Sequence, residues 1–162
     1  MIELERKFLV KELPNLSGSI PIQYKRYYLS EDIENQVRMQ QKNEDYEIET
    51  KTRLNDKEYE KAKEKISKER FIELSQNCSK SIIRESYQIS ERPDVSIKIY
   101  KMEYDGLVRV EVEFEDMEEY NSFQIPNWFG KEITNTKLGL DAELIKLNRE
   151  EFLKILNEAM EV

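Results

Sequence analysis

The sequence predicts an α+β fold in which a closed antiparallel sheet surrounds a polar lumen, accompanied by helices. Three observations predict it. The opening run Ile2-Glu3-Leu4-Glu5-Arg6-Lys7-Phe8, as a strand, puts Glu3, Glu5 and Lys7 on one face and Ile2, Leu4 and Phe8 on the other, with Arg6 as the exception. The same arrangement returns in Val108–Phe114, where Arg109, Glu111 and Glu113 oppose Val108, Val110, Val112 and Phe114. Between them, turn signals divide the chain into short strand-like segments, the pattern of an antiparallel meander. A lone charged strand face is ordinarily solvated. Two mixed-charge ladders at opposite ends of one small chain point instead to a sheet closed on a polar interior that holds a charged ligand and metal ions.

The elements follow in order. Residues 1–10 form the first strand, and Pro14, Gly18 and Pro21 punctuate a loop. The tyrosine-rich Gln23–Leu29 reads as strand, Glu31–Asn35 as a turn, Gln36–Gln41 as strand, and Asn43-Glu44-Asp45 turns the chain into Tyr46–Arg53. Asp56–Asn77 has helical propensity throughout: Lys57–Lys65 carries opposite charges four apart, and Ser67 caps a segment running to about Asn77. Ser81–Ser90, Val95–Met102 and Gly106–Glu115 are further strands, with Tyr104-Asp105-Gly106 as a hairpin turn. Met117–Phe123 is a short helix, Pro126–Gly130 a turn with an aromatic anchor at Trp128, and Asp141–Leu147 and Arg149–Met160 are helices. The last is amphipathic through Phe152, Ile155, Leu156 and Ala159.

Composition narrows the function classes. A chain of 162 residues fits a single domain, 1–162. Charged residues make up 37%, yet six Phe, nine Tyr and one Trp argue against disorder. The net charge of −8 opposes non-specific nucleic-acid binding, while 26 Lys and Arg suffice for a local basic pocket. With no histidine and one cysteine, Cys78, the chain has no imidazole base, intramolecular disulfide or cysteine-rich zinc site. A metal site must therefore use oxygen ligands, which suit Mg, Mn or Ca. No apolar run has membrane-spanning length and the amino terminus lacks a signal-peptide pattern, so the expected location is cytoplasmic.

Several segments together resemble the CYTH domains, or triphosphate tunnel metalloenzymes. Glu3-x-Glu5-x-Lys7 followed by Phe8-Leu9-Val10 resembles the family's opening signature. Gln23-Tyr24 with Tyr28-Leu29, Val37-Arg38-Met39, Lys51, Arg84-x-x-Tyr87, Gly106-Leu107-Val108, Glu111-Val112-Glu113-Phe114 and Pro126-x-Trp128-Phe129-Gly130-x-Glu132-Ile133-Thr134 follow in the family's order. The resemblance covers most of the chain. It implies an eight-stranded antiparallel β-barrel, or tunnel, with helices packed on the outside. It also implies that about Lys57–Ile66 is the fifth strand, against its propensity.

The resemblance implies metal-dependent hydrolysis of the terminal phosphate of inorganic triphosphate or a triphosphate-bearing compound. Glu3, Glu5, Glu111 and Glu113 match the catalytic metal-binding carboxylates, with Mg2+ or Mn2+ as cofactor. Lys7, Arg38, Lys51 and Arg84 match phosphate-cradling positions, and Arg53 and Arg109 share faces with Lys51 and Glu111. One of Glu58, Glu60 and Glu64, which share a face, would correspond to the family's fifth-strand glutamate. Lys61, Lys63, Lys65, Lys146 and Lys154 read as solvated surface. The implied partner is a triphosphate-containing small molecule, with neither nucleic acid nor membrane, and family members often form homodimers.

The sequence departs from the family at four places. Gln40 and Ser86 stand where the family usually has arginines, Lys98 where it has an aspartate, and Thr136–Asp141 where it has a tyrosine and an asparagine. Among glutamates, Lys98 would pair with Glu111 or Glu113 and weaken a metal site. The alternatives to a triphosphatase are therefore a catalytically weakened polyphosphate- or nucleotide-binding module and a class IV-type adenylate cyclase.

Overall fold

The computed structural model describes residues 1–30 and 32–161. Its strands are β1 (Ile2–Val10), β2 (Ile22–Tyr28), β3 (Asn35–Lys42), β4 (Asp45–Arg53), β5 (Glu58–Lys65), β6 (Ile82–Glu91), β7 (Asp94–Tyr100), β8 (Val108–Glu113) and β9 (Phe129–Glu132). The helices are α1 (Lys68–Ser75), α2 (Met117–Ser122), α3 (Asp141–Leu144) and α4 (Arg149–Met160). The turn expected at 31–35 begins on Glu31, which lies outside the described residues. No described helix is long and apolar enough to cross a membrane.

Eight strands close an antiparallel barrel in the order β5-β4-β3-β2-β6-β7-β8-β1, with β1 returning to β5. Strand β1 makes the closure. Ile2–Leu4 pairs with β5, while Glu5–Leu9 pairs with β8. The two charged ladders, distant in sequence, thus lie side by side, with Glu5 opposite Glu113 and Lys7 opposite Glu111.

The polarity is inverted relative to a barrel with an apolar centre. Leu4, Phe8, Val95, Ile97, Val110, Val112, Phe114 and Phe129 face outward and form one apolar cluster, with Met117, Tyr120 and Phe123 of the α2 region packed on it. A second cluster joins Leu9, Ile82, Tyr100 and Tyr104 to Leu144, Phe152 and Leu156. Each such side chain, fully buried, contributes roughly 1.5–3 kcal/mol. The first cluster covers the outer wall and lets the inner wall remain polar, whereas Leu9, Ile82 and Tyr100 of the second share strand faces with Lys7, Arg84 and Lys98 and close the inner end of the lumen. Helix α4 is held at its start by a reciprocal capping box between Asn148 and Glu151. Asn148→Ala is expected to cost about 1 kcal/mol and to lower Tm by roughly 2–4 °C, as measured by thermal melting.

Strand β5 forms despite its helical composition because backbone pairing holds it on both sides, by β4 along its length and by β1 at Glu58–Glu60. Ser67 does cap a helix, α1, through a bond from Arg70 N. The expected helix at 141–147 shortens to Asp141–Leu144, and the turn expected at 126–130 runs into the short strand β9 on β1. Gly130 permits that pairing, since a Cβ there would lie 3.1 Å from the Leu9 carbonyl oxygen. Gly139 is more constrained, because a Cβ would fall 1.8 Å from the Ile133 oxygen. Only glycine lets the segment before α3 lie against Ile133.

Candidate active site

The inner wall encloses a cavity of about 260 Å³ lined by ten Lys and Arg against six Asp and Glu. The whole chain carries a net charge of −8. The positive charge has been gathered inside, where low dielectric strengthens its hold on an anion.

Each side chain is aimed by strand alternation. On β1, Glu3, Glu5 and Lys7 point inward and are buried. Lys51 Nζ of β4 bridges Glu3 at 2.6 Å and Glu5 at 3.1 Å, and Lys61 Nζ of β5 lies 3.1 Å from Glu3. Burial alone would raise the Glu3 carboxyl, but Lys51 and Lys61 outweigh it and hold the group below the usual carboxylate range. Lys7 Nζ lies 3.1 Å from Glu5 and donates to the Gly139 carbonyl at 2.8 Å.

Glu3, Glu5 and Glu113 bring one carboxylate oxygen each within 4.8 Å of one another. Glu113 keeps an exposed side chain at the mouth. The protein packed around it, then Glu5 and Glu3, push its carboxyl up to about 7. Such crowding is relieved by a cation, and an all-oxygen donor set fits a hard divalent ion. Between about pH 4.5 and 7 the folded protein holds a proton on Glu113 that the unfolded chain has released, so stability falls as pH rises through that window. Glu113→Gln is expected to flatten this slope and to raise Tm at pH 8 in chelator, measured by melting across pH.

Glu111 stands apart from this cluster. It accepts from Arg109 Nε at 3.0 Å and Nη2 at 2.7 Å, and Arg84 Nη1 lies 3.4 Å away. Burial opposes its ionisation, but Arg109, Arg84 and Lys98 hold it well below the usual range. Across the lumen Arg38 pairs with Glu49 at 2.7 Å, with Lys63 3.7 Å from the same carboxylate.

Of the residues expected from sequence, Glu3, Glu5, Glu111, Glu113, Lys7, Arg38, Lys51, Arg84 and Arg109 all line this cavity. Arg53 does not. It lies past the rim, 3.6 Å from Glu34 and bonded to the Asn55 carbonyl. The fifth strand is a second correction. Tyr59, Lys61 and Lys63 face inward, and Glu58, Glu60 and Glu64 face away, because Glu3 is paired in register with Tyr59. Lys61 is therefore a cavity residue rather than solvated surface, while Lys63 lines the cavity but keeps its side chain 43% exposed. A third concerns Lys98, which donates to Ser86 Oγ at 2.7 Å and, among the described residues, makes no ion pair with Glu111 or Glu113. Burial lowers its pKa to about 8, with Glu111 pulling it back and Arg84 adding to the fall.

Sequence reasoning missed Glu49, Arg26 and Asp141. Alternation from Lys51 would have found Glu49, two residues earlier on the same strand. Arg26 lies among tyrosines on both faces of β2 and gave no periodic signal. Gln40 accepts from Arg26 Nε at 2.9 Å and donates to Glu47 and Glu49 at 2.9 and 3.1 Å, so it links cation to carboxylates.

Fold and site together define a closed β-barrel with a cationic lumen and a carboxylate cluster at its mouth. No protein-family model and no curated protein matches the chain. Among solved structures, the inorganic triphosphatase NE1496 is 24% identical, with a TM-score of 0.63 over 88% of this chain and 93% of that one. HpAC1 from Hippeastrum, an adenylyl cyclase candidate described with a dominant triphosphatase activity, is 12% identical, with a TM-score of 0.51 over 74% and 82%. A protein from Bacillus halodurans described as an adenylate cyclase candidate is also 12% identical, with a TM-score of 0.53 over 77% and 92%. These likenesses are of fold.

Proposed function

We propose that the protein is a triphosphate tunnel metalloenzyme of the CYTH kind, hydrolysing the terminal phosphate of inorganic triphosphate or a triphosphate-bearing compound. One observation carries the reading. An acidic chain encloses ten cationic side chains in one lumen and gathers Glu3, Glu5 and Glu113 beside them. A triphosphate carries several negative charges and needs such a lining, since phosphoryl transfer is promoted mainly by positioning and electrostatics. The triphosphatase activity attached to NE1496 and HpAC1 adds support.

Glu3, Glu5 and Glu113 would hold a divalent ion, Mg2+ or Mn2+. When bound, that ion supplies neutralisation of phosphoryl charge and a more acidic water. The chain's own residues do the rest. Glu111 fixes the Arg109 and Arg84 guanidinium groups in the lumen, and Lys51 holds Glu3 and Glu5 together. Among the described residues Lys98 bonds to a hydroxyl and to no carboxylate, which would leave its ammonium open to donate to a phosphoryl oxygen. Water's oxygen would bond to the terminal phosphorus while the bridging P–O bond breaks with its electron pair passing to the shortened chain. The proton that water loses goes to that leaving oxygen or to bulk water, so that orthophosphate and the shortened chain leave.

The test is phosphate release from inorganic triphosphate, ATP and thiamine triphosphate with Mg2+ or Mn2+, against chelator. Metal-dependent release supports the proposal and ranks substrates. Tight polyphosphate binding without release would favour the binding module, a reading helped by Glu111 being engaged by arginines instead of the carboxylate cluster. Cyclic AMP from ATP would favour a cyclase.

A further inference from the structure

The lumen has a second organised end, built on a residue that belongs to no strand. Asp141, the first residue of α3, is 4% exposed. Its Oδ2 lies 2.7 Å from Arg26 Nη1 and 3.2 Å from Arg84 Nη1, and its Oδ1 lies 3.2 Å from Arg109 Nη1. Tyr100 donates its hydroxyl to Oδ1 at 2.7 Å. The backbone just before it accepts two further lumen donors, Lys7 Nζ on Gly139 and Arg109 Nη1 on Leu138. Guanidinium groups from β2, β6 and β8 therefore converge on one carboxylate, opposite in the lumen to the end where Glu113 sits.

These arginines are the donors that a phosphate would recruit. A carboxylate held among them already engages one Nη of each, while Arg84 Nε keeps no partner among the described residues, and that carboxylate is tethered to the fold through α3. A phosphoryl group reaching that end meets donors already partly occupied and a like charge.

We propose that Asp141 is a specificity-determining residue, a built-in anion that closes the inner end of the lumen and so limits the length of phosphate chain it accepts. The chain enters from the Glu113 end and stops where the Arg26–Arg84–Arg109 cluster already holds the Asp141 carboxylate. This inference rests on the triphosphate reading and deepens it. It also gives a reason for Gly139. Without a side chain there, residues 138–141 can lie close enough to bring Asp141 onto the three arginines.

The experiment is calorimetric binding of pyrophosphate, triphosphate and tetraphosphate to the full chain in chelator, where length preference is read without turnover. Wild type is expected to bind triphosphate best. Asp141→Asn keeps the shape and removes the charge, and the ratio of tetraphosphate to triphosphate affinity is expected to rise about tenfold as the arginines become available. Asp141→Glu pushes the carboxylate further into the lumen and is expected to shift preference toward pyrophosphate. Should Asp141→Asn not fold, Asp141→Glu alone decides, because the proposal requires triphosphate to weaken more than pyrophosphate. A purely structural Asp141 would weaken all three chains by one factor and leave their ratios unmoved, which overturns the proposal. If wild type binds none of the three chains, the triphosphate reading fails and takes this inference with it. If wild type binds and hydrolyses triphosphate but the variants keep its length profile, only this inference falls.

Discussion

Replacing Glu3 and Glu5 together by glutamine is expected to lower metal-dependent phosphate release by about 10²-fold or more, with the loss in kcat and not in KM. The two carboxylates supply two of the three oxygens that converge at the mouth. Glutamine preserves their size and removes their charge, so affinity for a divalent ion falls. Binding of the phosphate chain responds in the opposite sense. Lys51, Lys61 and Lys7 are paired with Glu3 and Glu5, and the double variant releases them toward any anion in the lumen. Triphosphate should therefore bind the variant at least as tightly as wild type while turning over far more slowly. Steady-state kinetics with calorimetry in chelator separates the two quantities. A raised KM at unchanged kcat would remove Glu3 and Glu5 from the catalytic role and leave them as structural partners of Lys51. Circular dichroism guards against misfolding, since Lys51 would be left buried with weaker partners.

The barrel was legible because its two charged ladders violate the usual inside-outside rule in the same way. Alternation fixed the inward face of β1 and β8, and their pairing brought the ladders together. Alternation failed where both faces are charged. Glu58–Lys65 carries glutamates on one face and lysines on the other, with Tyr59 as the sole buried residue. Either face could turn inward by composition, and only the register against Glu3 decides. Arg53 failed for another reason. It shares the face of Lys51, but the strand has run beyond the lumen by then, and face says nothing about depth. Asp141 was illegible in principle from periodicity. It stands at the start of a four-residue helix, and its position depends on Gly139 meeting Ile133. Lys98 was located on the correct face, but its partner was misjudged. Ser86, directly across the strand pair, lies nearer than the glutamates.

That last difference reverses what a change at Lys98 should do. An ammonium paired with Glu111 or Glu113 would obstruct a metal, and its removal would raise activity. An ammonium that, among the described residues, bonds to Ser86 and to no carboxylate, beside Arg84 and Arg26, would serve as an anion receptor. Lys98→Met keeps most of the aliphatic length and removes the charge. It is expected to weaken triphosphate binding by about 10–100-fold, the worth of one charge-assisted hydrogen bond in a sheltered site. Stability should move the other way. The buried ammonium is disfavoured by its surroundings, which lower its pKa to about 8, so the apolar replacement is expected to raise Tm. The pH dependence supplies an independent check. Wild-type affinity should fall as pH rises through about 8, where the free protein's Lys98 loses its proton, and Lys98→Met should lack that fall. Weaker binding combined with a higher Tm marks a residue retained for its ligand. Unchanged affinity and an unchanged pH profile would assign Lys98 to packing against Tyr24 and Ser86 alone.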